Sequence, residues 1–318
     1  METMITLNVT ALEPRLKHPT IFEIYDGLNP GEAFVIDNDH DPKPLYYQLL
    51  AERGQHFTWA YLENGPELWK VKIAKNETAQ NEETIGEMVT KDYRKAQVFK
   101  SFGIDFCCGG KKTLTEVCKR KGIDTEAVEK AMELLKEAPA ASENDYSKWN
   151  PGFLTDYIIN THHQYVKDNT TFIMELANKV ASVHGAQHPE TIRVAAIFAK
   201  VANDLTLHLM KEEKVLFPFI KEMSDVQDKA GRLSESAFGA VSNPIQMMES
   251  EHEEAGEALQ TIRELTDNFT LPAGACNSYT ILYKKLDEYE NDLYKHVHLE
   301  NNILFPKALA LEKELRQR

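Results

Sequence analysis

The stretch HLMKEEKVLFP at residues 208–218 returns as HVHLENNILFP at residues 296–306. His208 precedes Glu212 by four residues and Phe217 by nine; His296 stands in the same relation to Glu300 and Phe305. Residues four apart on a helix lie on one face, one above the other, so each segment presents a nitrogen and a carboxylate side by side before an apolar-Phe-Pro stop. A single pair of this kind is an ordinary solvated pair on an amphipathic helix. Two in matching register constrain the fold, because one architecture must accommodate both.

From residue 153 onward the apolar spacing is helical in four long segments, near 153–184, 189–222, 237–268 and 276–311. HGAQHP, SDVQDKAG and NFTLPAG break them apart. Four amphipathic helices with short connections predict an antiparallel bundle, whose core is a usual place for metals. Eight of the eleven His lie in residues 151–318. His208 and Glu212 fall on the second helix, His252 on the third, and His296 and Glu300 on the fourth. IINTHHQYV puts His162 or His163 on the first, and periodicity leaves the choice open because each follows an Ile by four.

Four His and two Glu exceed the four ligands of one tetrahedral zinc. Two metals bridged by the two carboxylates would use them all, and imidazole with carboxylate suits iron, with manganese or zinc as alternatives. His298 has Asn302 four residues on and breaks the shared register, which places it on an outer face or behind the ligands. His184 and His188 fall at a turn and read as solvated.

At 318 residues more than one domain is expected. Residues 1–76 read as a small βαβαββ unit. MITLNVT and EAFVIDN are strand-like, HPTIFEIYDGL and DPKPLYYQLLAERG helical, and HFTWAYLENGPELWKVKIAK is a hairpin about Asn64-Gly65-Pro66. Residues 77–138 read as a short helical domain with helices near 82–101, 113–121 and 124–137. Residues 139–152 form a linker, and 153–318 the bundle. The expected class is α+β multidomain, mainly α. No run of 18 apolar residues exists, and the N-terminus lacks a basic flank followed by an apolar core. Four Cys make no disulfide framework at this length, so a cytoplasmic location is expected. A net charge of −14 argues against nucleic acid and anionic membranes as partners.

DFCCGG is expected to end a helix, with Gly109 and Gly110 placed for a left-handed cap. Lys111 and Lys112 beside Cys107 and Cys108 are expected to lower the thiol pKa values and make the pair reactive. Two thiolates alone are too few for a closed zinc or iron–sulfur site. Cys118 and Cys276 have no comparable context. In NDHDPKP, His40 with Asp39 and Asp41 reads as a structural turn that caps a helix.

FGIDFCCGGKKTL, HLMKEEKVLFP, MESEHEEAGE and HLENNILFPKAL, in this order and spacing, resemble the bacterial repair-of-iron-centres family. These are di-iron proteins linked to iron–sulfur cluster repair under nitrosative and oxidative stress, and the resemblance covers roughly 82–312. It implies a hemerythrin-like bundle in which His163, His208, Glu212, His252, His296 and Glu300 hold two non-haem iron ions, with Glu212 and Glu300 bridging. It also implies that Glu251 supports the site, and that Cys107 and Cys108 take part in redox chemistry or transiently bind iron or a thiol partner. The expected function is cluster repair by iron donation. Reduction of nitric oxide to nitrous oxide at the same site, or sensing of oxygen or nitric oxide, stands as the alternative. The implied partners are proteins with damaged clusters, the two gases as small ligands, and a second copy of the chain as a homodimer. Oxygen-carrying hemerythrins have two His four apart on the third helix, whereas Gly256 follows His252 here, which favours reaction or iron release over oxygen storage. Residues 35–73 resemble a small family with a TusA-like fold. Sulfur carriers of that fold use a Cys, residues 1–76 contain none, and the unit is expected to be a binding or docking module.

Overall fold

A computed structural model describes residues 5–29, 31–53, 57–66, 68–75, 82–137, 144–229 and 238–317. The chain divides into two compact units, residues 1–83 and 84–318. The first runs β1 (Ile5–Asn8), α1 (Pro14–Gly27), β2 (Ala33–Asn38), α2 (Lys43–Arg53), β3 (Phe57–Asn64) and β4 (Trp69–Lys75), the βαβαββ order expected. The sheet order is β1-β2-β4-β3, with β1 and β2 parallel across the α1 crossover and the other pairs antiparallel. Phe34, Ile36, Val71 and Ile73 bury against Ile21, Phe22 and Tyr25 of α1 and Leu45 and Leu49 of α2. α1 starts at Pro14, earlier than its apolar spacing gives, because proline is preorganised for a first turn. Asp41 Oδ1 accepts from the Lys43 N–H and the Tyr61 hydroxyl, so this loop caps α2 as expected. Gly54, the expected end of α2, lies outside the described residues, as do 139–143 of the expected linker.

The second unit opens with α3 (Ile85–Lys91), α4 (Lys95–Ser101), α5 (Leu114–Lys121) and α6 (Thr125–Glu137). The single helix expected over 82–101 is two, because Asp92 takes an extended conformation and its carboxylate accepts from the Arg94 N–H and guanidinium. Reciprocal capping boxes at Thr84/Glu87 and Thr113/Glu116 start α3 and α5.

DFCCGG does not end a helix. α4 stops at Ser101, and Gly103, at φ +66°, takes the left-handed cap position assigned above to Gly109 and Gly110. Cys107 and Cys108 lie in the loop that follows. Gly110 and Gly86 are needed for close approach instead: a Cβ on either would fall 2.3 or 2.4 Å from Asn302 Oδ1 on the bundle.

Four long helical segments follow. The first is α7 (Pro151–Ile158), a π-helical turn (Ile159–His163) and α8 (Gln164–His184); the second is α9 (Glu190–Lys211), a π turn (Glu212–Leu216) and α10 (Phe217–Lys229). The third is α11 (Ser242–Leu265), and the fourth is α12 (Asn277–Leu299), a π turn (Glu300–Leu304) and α13 (Phe305–Gln317). Phe-Pro is therefore no stop. Proline cannot donate to the carbonyl four residues back, and the widened turn before Pro218 and Pro306 carries the helix through. In each, the Phe N–H donates five residues back, Phe217 to the Glu212 carbonyl and Phe305 to the Glu300 carbonyl. The second segment accordingly runs on through most of SDVQDKAG, and the fourth reaches Gln317. No helix among the described residues is long and apolar enough to cross a membrane.

Two apolar clusters fill the bundle, one including Val166, Phe198, Leu205, Leu209, Ala255 and Val297, the other Ile158, Leu216, Phe217, Met248, Leu299 and Phe305. Along each helix the His and Glu positions fall between residues of the first cluster and residues of the second. The Cys-bearing segment is fastened to the bundle by Lys100, which pairs with the buried Glu290 and donates to Asn291 Oδ1.

Candidate metal centre

The repeated register brings its two His/Glu pairs together at the bundle centre, where His163 and His252 join them. All six side chains are 2 % exposed or less. Their inward atoms form two groups: His163, Glu212, His296 and Glu300, and His208, Glu212, His252 and Glu300. Both carboxylates belong to both groups. Glu212 Oε2 lies 3.4 Å from His163 Nε2 and 3.3 Å from His208 Nε2. Glu300 splits its oxygens, Oε1 at 2.9 Å from His296 Nε2 and Oε2 at 3.2 Å from His252 Nε2. Nitrogens face one another across each group, His163 to His296 at 3.2 Å and His208 to His252 at 3.0 Å.

Outer partners fix three of the four rings. His163 Nδ1 meets Glu213 Oε1 at 2.8 Å, His208 Nδ1 meets Glu251 Oε2 at 2.9 Å, and His252 Nδ1 meets Asn301 Oδ1 at 2.9 Å. With Nδ1 so engaged, Nε2 points inward as a donor to a cation. Glu213 and Asn301 each follow the Glu of their own motif and reach the His of a neighbouring helix. The Phe of each motif does likewise: Phe217 stacks on His163 at 5.5 Å and Phe305 on His252 at 6.1 Å. Sequence reasoning missed Glu213, Asn301 and both Phe roles, although all four sit at matched positions in the repeat and were legible there.

His162 is buried next to His163 but turns away, its Nδ1 2.9 Å from Asp292 Oδ1 and its ring stacked on His296. His298 lies on no outer face: Tyr93 and Phe106 cover it, Asn302 donates to its Nδ1, and burial pushes its pKa down to about 3. His184 and His188 are half-buried rather than solvated, the first 3.2 Å from Cys276 Sγ, the second 3.1 Å from Glu190 Oε1.

The residues fit a bound cation. Both oxygens of Glu212 and Oε2 of Glu300 are buried with no hydrogen-bond donor among the described residues. Leaving a buried carboxylate so is costly. Without metal the imidazoles supply the positive charge. Burial works against it, but the Glu212 and Glu300 carboxylates raise His163 to about 9, and Glu212 with Glu251 raises His208 to about 10. Burial and Glu300 push the Glu212 carboxyl up, yet His208 and His163 bring it down to about 2. A set that stabilises this much positive charge, on imidazole and carboxylate donors, is the kind that first-row metals occupy.

Cys107 is not activated in the way expected. Lys111 pairs with Glu249 of α11, while Asp105 Oδ1 lies 3.1 Å from Cys107 Sγ. The Cys108 thiol, burial and the Asp105 carboxylate hold the Cys107 thiol well above its ordinary range.

Comparison with known proteins agrees with this architecture. Residues 6–75 match the family described as "Uncharacterized conserved protein (DUF2249)", and residues 81–136 that described as "Domain of Unknown function (DUF542)". Residues 154–308 match the "Hemerythrin HHE cation binding domain". The chain is 36 % identical over 234 residues to the iron-sulfur cluster repair protein YtfE of Enterobacter sp. (strain 638), covering 74 % of this chain and 100 % of that one. It is 36 % identical to the protein of that name from Musicola paradisiaca (strain Ech703), over 73 % of this chain and 98 % of the relative. Its identity to the one from Yersinia pestis (strain Pestoides F) is 34 %, over 72 % and 98 %.

Proposed function

The chain belongs to the family of iron–sulfur cluster repair proteins named YtfE, and from that premise we propose that it restores damaged clusters with iron held in its bundle. The observation that carries this reading is the sharing of Glu212 and Glu300 between two donor groups. That is the arrangement two metals need when two carboxylates bridge them, so the site takes two iron ions rather than one. His163 and His296 hold one ion, His208 and His252 the other.

Bound there, ferrous iron supplies Lewis acidity, redox capacity and coordination positions open to exchange. The chain's own residues set how firmly it is held. Glu213, Glu251 and Asn301 orient the rings, and Phe217 and Phe305 cover two of them. Gly256, four residues after His252, offers no further imidazole, leaving each ion two nitrogens and two shared carboxylates. A donor set this small suits a metal that is given up. The targets in this reading are cytoplasmic proteins whose iron–sulfur clusters have been damaged by nitrosative or oxidative stress.

The test is recovery of a nitric-oxide-damaged iron–sulfur enzyme by the iron-loaded chain, wild type against Glu212→Leu and Glu300→Leu. Recovery that tracks the loaded iron and is lost in both variants supports donation. Steady consumption of nitric oxide without recovery of the target contradicts it.

A further inference from the structure

We propose that Asp105, Cys107 and Cys108 form a second metal site, one that takes a single thiophilic divalent cation through two thiolates and a carboxylate. The three donor atoms lie within 4.8 Å of one another. The two sulfurs are 3.9 Å apart. Two thiolates about 2.3 Å from one tetrahedral cation stand about 3.8 Å apart, so the pair already has the bite a metal requires. Vicinal cysteines show no such spacing by default, and here the backbone imposes it. Asp105 Oδ1 accepts from the Cys107 and Cys108 N–H groups and Oδ2 from the Gly109 N–H, fixing loop and carboxylate together. Soft thiolates with one carboxylate select cations such as zinc, cobalt or ferrous iron over magnesium or calcium.

The position of the site relative to the bundle gives it a use. Asn301, whose Oδ1 orients His252, donates through Nδ2 to the Cys107 carbonyl at 3.4 Å. A cavity of about 130 Å³ is lined by Cys107, Cys108, Glu249, Glu253, Asn301 and Asn302. A cleft of about 490 Å³ is lined by Cys107, Cys108, Asp105, Glu253 and Gly256. Gly256 of the third helix adjoins the thiol: a Cβ there would sit 3.9 Å from Cys108 Sγ, an ordinary contact. The site thus stands beside the ligand shell, and Glu253 lines both of the cavities next to it. Binding releases the two thiol protons to solvent and moves no electrons. Its role as a holding point for iron leaving the bundle rests on the proposed function; the metal site itself does not.

The experiment is an anaerobic titration of the full reduced chain with cobalt(II), read by the sulfur-to-cobalt charge-transfer absorption. Wild type is expected to develop the band and saturate it at one cobalt per chain. His208→Ala should keep it, and Cys107→Ser/Cys108→Ser should lose it. Asp105→Asn, which still caps the loop, should weaken binding at least tenfold. No band in wild type, or a band that survives in the double serine variant, overturns the proposal. A band in wild type together with undiminished cluster recovery by the serine variant keeps the site and overturns its part in repair.

Discussion

At the scale of single residues, the burial of Glu212 is offset by protonated imidazoles in the metal-free chain and by a cation in the loaded one. Its carboxylate is fully buried with no hydrogen-bond donor among the described residues, and its nearest charged neighbours are imidazoles that can shed their protons. Removing one partner of a buried charge pair costs about 3–5 kcal/mol where the other charge stays. At pH 6, where His163 and His208 hold their protons, Glu212→Leu should therefore lower the denaturant midpoint of the metal-free chain, and metal loading should collapse. An unchanged midpoint would mean that the imidazolium pair does not depend on Glu212.

The same cluster fixes a pH dependence for the metal-free chain. His163 and His208 are raised from 6.5 to about 9 and about 10, so their contribution is complete below pH 6.5 and lost as pH rises through 9 and 10. Glu212 is lowered from 4.5 to about 2, so its contribution is complete above pH 4.5 and lost as pH falls through about 2. Thermal unfolding of the metal-free chain should show this cluster's full support between about pH 4.5 and 6.5, and a falling Tm from pH 6.5 to 9. The loaded chain should not show that alkaline fall, because the cation replaces the protons.

At the scale of elements, the contact between the cysteine loop and the fourth bundle helix is set by two glycines. Gly110→Ala would place a Cβ 2.3 Å from Asn302 Oδ1 and 2.8 Å from the Phe106 carbonyl oxygen. Overpacking of this kind costs about 1–3 kcal/mol, and Asn302 must also release the Phe106 carbonyl and His298. Denaturant unfolding should show the loss, and an unchanged midpoint would mean the loop yields freely. The sequence carried the helices, their faces and the ligand register, because 3.6-residue spacing is local information. It did not carry the division of 82–101 at Asp92, where a side chain competes with the helix for its own backbone. Nor did it carry the loop conformation of DFCCGG, where Asp105 rather than a glycine cap organises the chain. The π turns were legible in hindsight: a proline after an unbroken helical pattern, twice, with no turn residue beyond it.

At the scale of the whole molecule, the two compact units divide at Glu83/Thr84, and the relatives match over a length close to that of the second unit. Residues 84–318 alone should fold cooperatively and hold the same metal per chain as the full protein, measured by elemental analysis alongside thermal unfolding. Loss of metal on removing residues 1–83 would make the first unit part of the site's support. The six residues that meet at the bundle centre were readable in the sequence because the repeat sets four of them. His163 was separable from His162 only through resemblance, since which ring turns inward depends on the π turn at Ile159–His163.

The most direct measurement is iron content per chain by elemental analysis after anaerobic purification, for wild type and His208→Ala. Two irons in wild type, falling toward one in the variant as the group of His208 and His252 empties, is the predicted result. No iron, or a single zinc per chain, would contradict the two-metal centre.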